Sequence, residues 1–139
     1  GIVALRGPGS FTGLRVGLAT VLGLHQSLGV AATALPTLDV LAMLAPASAG
    51  RRLALVNALR GEWYAQEFVW DDTRASPVAL GPAEILSEEA LATMTPDTIL
   101  GFGAATIRTL WPSATFVPGG PLATLALRLA ALPGMVWDP

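Results

Sequence analysis

Arg6-Gly7-Pro8-Gly9-Ser10-Phe11-Thr12-Gly13-Leu14-Arg15 follows the apolar run Ile2-Val3-Ala4-Leu5 and opens a long helical pattern. The order is strand, glycine-rich turn, helix. Gly7 and Gly9 flank Pro8, which suits a sharp exit from a strand: glycine tolerates positive φ, while proline fixes its own φ and restricts the residue before it. A turn of this kind also resembles a phosphate cradle, because glycines let backbone N–H groups approach an anion and a helix N-terminus adds partial positive charge. Neither standard nucleotide motif fits. A Walker A loop needs Lys and Ser or Thr after its last Gly, whereas Leu14 and Arg15 follow Gly13, and a dinucleotide fingerprint needs Gly where Thr12 stands.

From Thr12 to Leu28 the periodicity predicts a helix. Leu14, Gly17, Leu18, Val21, Leu22, Leu24 and Leu28 sweep an apolar arc of roughly 160° at about 100° per residue. Across from it runs a strip of small or polar residues, Ala19, Gly23, Gln26 and Ser27, with Arg15 at its start. Gly17 and Gly23 lower helix propensity and are expected to serve close packing. Leu14, Leu18, Val21 and Leu28 should cover the chain's own sheet, leaving the opposite strip to a partner helix.

Gly29 reads as the helix C-cap, and Val30 to Ala34 as a short buried strand. Thr37 reads as the N-cap of a second helix, with Asp39 in its first turn. Pro46 to Gly50 is rich in Pro, Ala, Ser and Gly and marks a lobe boundary. Leu53 to Leu59 and Glu62 to Trp70, separated by Arg60-Gly61, form a hairpin pattern. Ala75 to Leu80 reads as an edge strand because of Pro77. Pro82 should open a helix running through Leu91. Thr98 to Leu100 is a strand feeding the turn Gly101-Phe102-Gly103-Ala104, a helix runs on towards Trp111, Thr115 to Val117 is a last strand, and Pro121 to Leu132 a last helix.

Composition excludes several classes. All eight basic residues are Arg, so no Walker or Schiff-base lysine is on offer, and with no Cys there is no disulfide, thiolate nucleophile or zinc ribbon. Net charge is −2, with a pI near 5.2, which gives no footprint for direct nucleic-acid binding. Mean hydropathy is +0.58, yet Arg15 and His25-Gln26 interrupt the longest apolar run before it reaches the about 20 residues a membrane span needs. The one histidine, His25, reads as a packed side chain, and Gly29 stands four residues after it. Ser10 and Thr12 have no general base beside them in sequence, and Glu88-Glu89 reads as a solvated face.

Gly7 to Arg15, continued by Val16-Gly17-Leu18-Ala19-Thr20 and Gly23-Leu24, resembles the signature of the TsaB (YeaZ) family. Further agreement follows in Leu35-Pro36-Thr37-Leu38, in Ala58-Leu59-Arg60-Gly61-Glu62-Trp63-Tyr64 and in Gly101-Phe102-Gly103-Ala104, where the family usually has Gly-Asp-Gly-Ala. Asn57 and Leu59 stand where the family usually carries Asp and Arg. The resemblance implies an α/β, actin-like (ASKHA, ribonuclease H-like) two-lobe fold. Residues 1–50 would be the remainder of an incomplete first lobe, with the partner-binding helix at 12–28, and 51–139 the second lobe, its last helix at 121–132 packing back on the first. The family's first strands, which carry an Asp-Thr-Ser/Thr signature, have no counterpart before Gly7, so Ile2–Leu5 is expected to present an unpaired edge and an uncovered face.

In function, the resemblance implies a non-catalytic scaffold for the threonylcarbamoyladenosine modification of tRNA, partnered by a TsaD-like transferase and a TsaE-like ATPase in the cytoplasm. The His-x-x-x-His pair by which TsaD paralogues hold metal is absent, so no metal or cofactor is expected on this chain alone, and tRNA would be reached only through the complex. Gly7, Pro8, Gly9, Ser10, Phe11, Thr12, Gly13 and Arg15 form the signature loop, and Arg15, Ala19, Gly23 and Gln26 the expected partner strip. A homodimer through the exposed edge is a further expectation. The alternative is an ASKHA enzyme hydrolysing ATP or a peptide, with Gly7–Gly13 at phosphate or substrate, in line with the older glycoprotease description of relatives.

Overall fold

The computed structural model describes residues Gly1–Pro139. Strand β1 (Ile2–Leu5), helix α1 (Phe11–Leu28) and strand β2 (Ala32–Leu35) form the first unit. The two strands run parallel, Ile2 opposite Ala32 through Leu5 opposite Leu35, and a parallel pair needs a crossover, which α1 supplies. Ser10 caps the helix with its hydroxyl, and Gly29, at φ 62°, ends it by donating its N–H to His25 O. Leu14, Leu18, Val21 and His25 turn towards the sheet and are half-buried; no residue of α1 is fully buried. Leu28 departs from the expectation. It is 63% exposed. Gly17 and Gly23 also serve no close packing within the chain, since a Cβ on either would meet open space.

Helix α2 (Thr37–Ala42) follows directly. Its N-cap is Pro36, not Thr37. Proline holds the extended entry geometry and needs no N–H there, so Thr37 becomes the first helical residue, buried, with its N–H donating to Gly7 O at 2.9 Å. A 3₁₀ turn at Ala47–Ala49 leads into the second sheet.

That sheet contains β3 (Arg52–Leu59), β4 (Glu62–Asp71), β5 (Ser76–Ala79), β6 (Glu84–Ser87), β7 (Thr98–Phe102) and β8 (Thr115–Val117). The order is β5-β4-β3-β7-β8, with β6 also paired to β4. The β3–β4 hairpin is antiparallel, and β7 lies parallel to both β3 and β8. Asn57 Oδ1 accepts the Leu59 N–H at 2.7 Å, where the hairpin register shifts.

The helix expected from Pro82 through Leu91 is overturned. Glu84–Ser87 is a strand with Trp63 opposite Leu86 and Tyr64 opposite Ile85. Leu86 packs on the core while Ile85 is exposed, which is the alternation of a strand. The helix here is α3 (Glu88–Ala92), begun by Ser87, whose hydroxyl accepts the Ala90 N–H. A 3₁₀ helix at Ala104–Leu110 stands where a helix towards Trp111 was expected, and the last helix, α4, is shorter than expected, Ala123–Ala130.

Three apolar clusters hold these pieces. Leu53, Leu55, Ile99 and Trp111 belong to one on the α3 side of the large sheet. Leu38, Leu41 and Ala42 of α2 join Ala54, Val56, Phe68 and Leu100 on its other side. Val40 of the same helix joins Leu35, Ala126, Leu129 and Ala130, so α4 packs onto the β1–β2 pair and α2 lies in both cores.

Asp39, in the first turn of α2, is half-buried. Desolvation raises its pKa above the ordinary 3.8, only partly offset by the Arg6 charge. The folded state therefore binds the proton more tightly than the unfolded chain, and stability falls as pH rises through the folded value. Asp39→Asn should accordingly be more stable than wild type at neutral pH. That advantage should shrink on acidification and be gone below pH 3.8, as thermal melts across pH would show.

Candidate functional site

The glycines of the signature loop are explained by local packing. Gly7, at φ +101°, lies so close to Leu14 that a Cβ would come within 3.1 Å of its side chain, and Gly9 meets the same leucine at 3.7 Å. Gly13 is required by the cap: its N–H donates to Ser10 Oγ at 3.1 Å, and a Cβ there would stand 2.6 Å from that oxygen. The loop is thus folded down on the first turn of α1, with its hydroxyl engaged in capping.

A cleft of about 470 Å³ opens beside the loop. Pro8, Gly9, Ser10, Gly13, Leu14, Gly17 and Val21 line one side and Val3, Ala4 and Leu5 the floor, while Thr37, Val56 and Phe102 form the far wall. Sequence reading had not joined those last three to the loop; the Gly-Phe-Gly turn around Phe102 was the signal available. The lining holds two hydroxyls, Ser10 and Thr37, and no Asp, Glu, His or Arg. General acid–base chemistry or anion neutralisation needs such groups.

Arg15, the cation of the signature, does not enter the cleft. Its guanidinium lies 4.7 Å from the centre of the Phe11 ring, on the exposed side of α1. Thr12, Ala19, Gly23 and Gln26 are exposed on that side as well. Arg15, Ala19, Gly23 and Gln26 therefore share one solvent-facing strip, at 100° per residue. A second glycine-lined cleft, about 430 Å³, runs between Gly101-Phe102-Gly103 and Gly119-Gly120 and carries no charged side chain. His25 is remote from both; its Nδ1 lies 2.6 Å from Val30 O. No group of three or more His, Asp or Glu side chains is placed to hold a metal ion, and no helix is long and apolar enough to cross a membrane.

The protein-family model described as "TsaD: tRNA N6-adenosine threonylcarbamoyltransferase" matches residues 1–100. The chain belongs to the TsaD family. Within that family its shape is similar to "YeaZ from Pseudomonas aeruginosa", at 26% identity and a TM-score of 0.73 over 92% of this chain. A second Pseudomonas aeruginosa structure, an uncharacterized protein with similarity to peptidase YeaZ, agrees in fold at 23% identity and a TM-score of 0.69 over 94% of this chain. This TsaD-family chain spans 64% of the first of those structures and 68% of the second. No curated protein matches it. The TsaB-like, actin-like α/β fold expected from the signature is borne out.

Proposed function

We propose that this chain is a TsaB-like, non-catalytic subunit in the cytoplasmic threonylcarbamoyladenosine modification of tRNA. In this reading it pairs with a TsaD-like transferase, works beside a TsaE-like ATPase, and meets tRNA only within that complex. The observation that carries the reading is the likeness to YeaZ over 92% of the chain, in a member of the TsaD family whose cleft beside the signature loop is lined without a single ionisable side chain. The contact surface is the outward strip of α1, where a partner helix can come close over Ala19 and Gly23, neither of which is covered within the chain.

Co-purification with a TsaD homologue, alongside ATPase and peptidase assays of the chain alone, tests this. Association without intrinsic turnover is expected; turnover that follows the protein through size exclusion would establish the hydrolase alternative instead. Ala19→Arg and Gly23→Leu should each weaken association by about 1–3 kcal/mol, the usual cost of overpacking a close contact, with little change in thermal stability. Unchanged affinity in titration calorimetry would put the binding surface elsewhere.

A further inference from the structure

Charge is divided unevenly along the chain. Residues 60–92 carry seven carboxylates against Arg60 and Arg74, which leaves three acids against six arginines everywhere else. That segment supplies β4, β5, β6 and α3, so one edge of the six-stranded sheet is acidic while the rest of the molecule is basic. Arg51 and Glu67 form the one ion pair; Glu62, Glu84, Glu88 and Glu89 stand exposed and unpaired. Such an edge repels partners that carry phosphate, whether nucleic acid or anionic lipid, and draws cationic ones.

The same edge exposes apolar side chains. Tyr64 pairs with Ile85 and Glu62 with Ser87 across β4 and β6, and Leu59 lies opposite Glu62 where the hairpin closes. Residues in register share a face, as do residues two apart along one strand, so Glu62, Tyr64 and Ile85 project together. Tyr64 packs against the cluster of Val56 and Phe68, which Leu38 and Leu41 of α2 cover farther along the same face. This end has no such cover: Ile85 is 54% exposed and Leu59 71%. Leu59 also lies at φ 68°, a conformation that disfavours leucine and suits Gly or Asn in a hairpin turn. The elements packed on β6 are β4 and α3, so the face is shaped by the large sheet and not by the β1–β2 unit.

We propose that this face receives a cationic amphipathic helix of a protein partner. The helix continues the layer that α2 begins, its apolar stripe lying over Leu59, Tyr64 and Ile85. Lys or Arg on its flanks answers Glu62 within the face and the carboxylates of β6 and α3 beside it, which sets both the choice of partner and its orientation. An added strand suits the place less well, because Glu84 puts on β6 the kind of charge that blunts an edge against pairing. The surface lies on elements other than α1, so this contact and the one over Ala19 and Gly23 can be lost separately.

The probe is a short synthetic helix, fluorescently labelled, with leucine along one face and lysine on both flanks, titrated with the full chain and followed by anisotropy. It should bind, and more weakly as salt rises. A peptide of the same composition with its leucines spread round the helix, and one with glutamate in place of lysine, should each bind at least about tenfold more weakly. Ile85→Ser and Glu62→Lys should each raise the dissociation constant of the striped peptide about tenfold. Leu127→Ser, which removes a leucine 57% exposed on α4, should leave it unchanged. Thermal melts check that each variant is folded, and if Ile85→Ser is not, Glu62→Lys decides. The proposal is overturned if the striped peptide does not bind, if the spread peptide binds as well, or if both substitutions leave its affinity intact. Self-association of wild type that Ile85→Ser abolishes would assign the face to a second copy, and would overturn it too.

Discussion

Gly101→Ala should yield no folded protein. Gly101 lies in β7 opposite Leu55 of β3, at φ +139°, a conformation that side chains rarely adopt. An added Cβ would sit 1.9 Å from Leu55 O and 2.8 Å from its carbonyl carbon. Both obstacles are backbone, in a strand whose residues Leu53, Ala54 and Leu55 are wholly buried, so neither can swing aside as a flexible side chain would. The loss should exceed about 4 kcal/mol, the range reserved for strain and core disruption, out of a total stability of about 5–15 kcal/mol for an ordinary domain. Gly81→Ala is the control: its Cβ would meet nothing within 4 Å, and the variant should melt with wild type. A Gly101→Ala protein that unfolds in urea near the wild-type midpoint would mean that β3 and β7 can separate locally without loss of the fold.

Arg52→Ala should be nearly as damaging, for an electrostatic reason. Arg52 is completely buried, and its guanidinium donates to four backbone carbonyls. Nη1 reaches Ala42 O at 3.2 Å and Ala45 O at 2.9 Å, and Nη2 reaches Pro46 O at 2.9 Å and Ala47 O at 3.4 Å. The Trp70 ring lies 5.6 Å from the same group. These carbonyls belong to the end of α2 and the turn after it, where orphan acceptors and the negative end of the helix dipole gather. Burial lowers the Arg52 pKa, but arginine stays charged in proteins, and here the carbonyls supply the compensation that a carboxylate would give elsewhere. Truncation takes the donor from the carbonyls of buried Ala42 and Ala45, whereas Pro46 and Ala47 are exposed and Pro46 O keeps the Ala49 N–H; it should cost about 3–5 kcal/mol, as for one partner of a buried ionic contact. Arg52→Lys should recover part of this, because an ammonium lacks the planar fork that serves all four oxygens. Arg52→Met, which restores bulk without donors, should remain close to Arg52→Ala. Urea midpoints compared at constant m-value give the three differences, and a methionine variant as stable as wild type would reduce Arg52 to a space filler.

Where the chain punctuates itself locally, its structure could be read. Ser10, the glycines around Pro8, Gly29 and the Arg60-Gly61 turn act through their own backbone preferences, and the elements they delimit stand where the pattern put them. Glu84-Ile85-Leu86-Ser87 could not be read that way. Its residues suit a helix opened by Pro82, but the unclaimed edge of β4 beside Trp63 and Tyr64 makes it a strand, an outcome of tertiary pairing that intrinsic preference does not contain. The cleft was half legible for the same reason. The loop side is contiguous in sequence, whereas Thr37, Val56 and Phe102 meet it only after two sheets have been stacked. Arg52 was hidden by its type, since arginine is seldom fully buried. Arg51 does stay outside, 3.5 Å from Glu67.

The double allegiance of α2 limits how the molecule can move. Levering the β1–β2 pair away from the six-stranded sheet would strip water-free contacts either from Leu38 and Leu41 or from Val40, whichever way the helix went. Fully exposing one such side chain costs about 1.5–3 kcal/mol, so states opened along that line are rare. Helix α1 stands apart from this constraint: it buries none of its residues completely and contributes to none of the three clusters. Whatever α1 touches therefore meets a helix whose seating owes little to either core, set on a base that both cores lock.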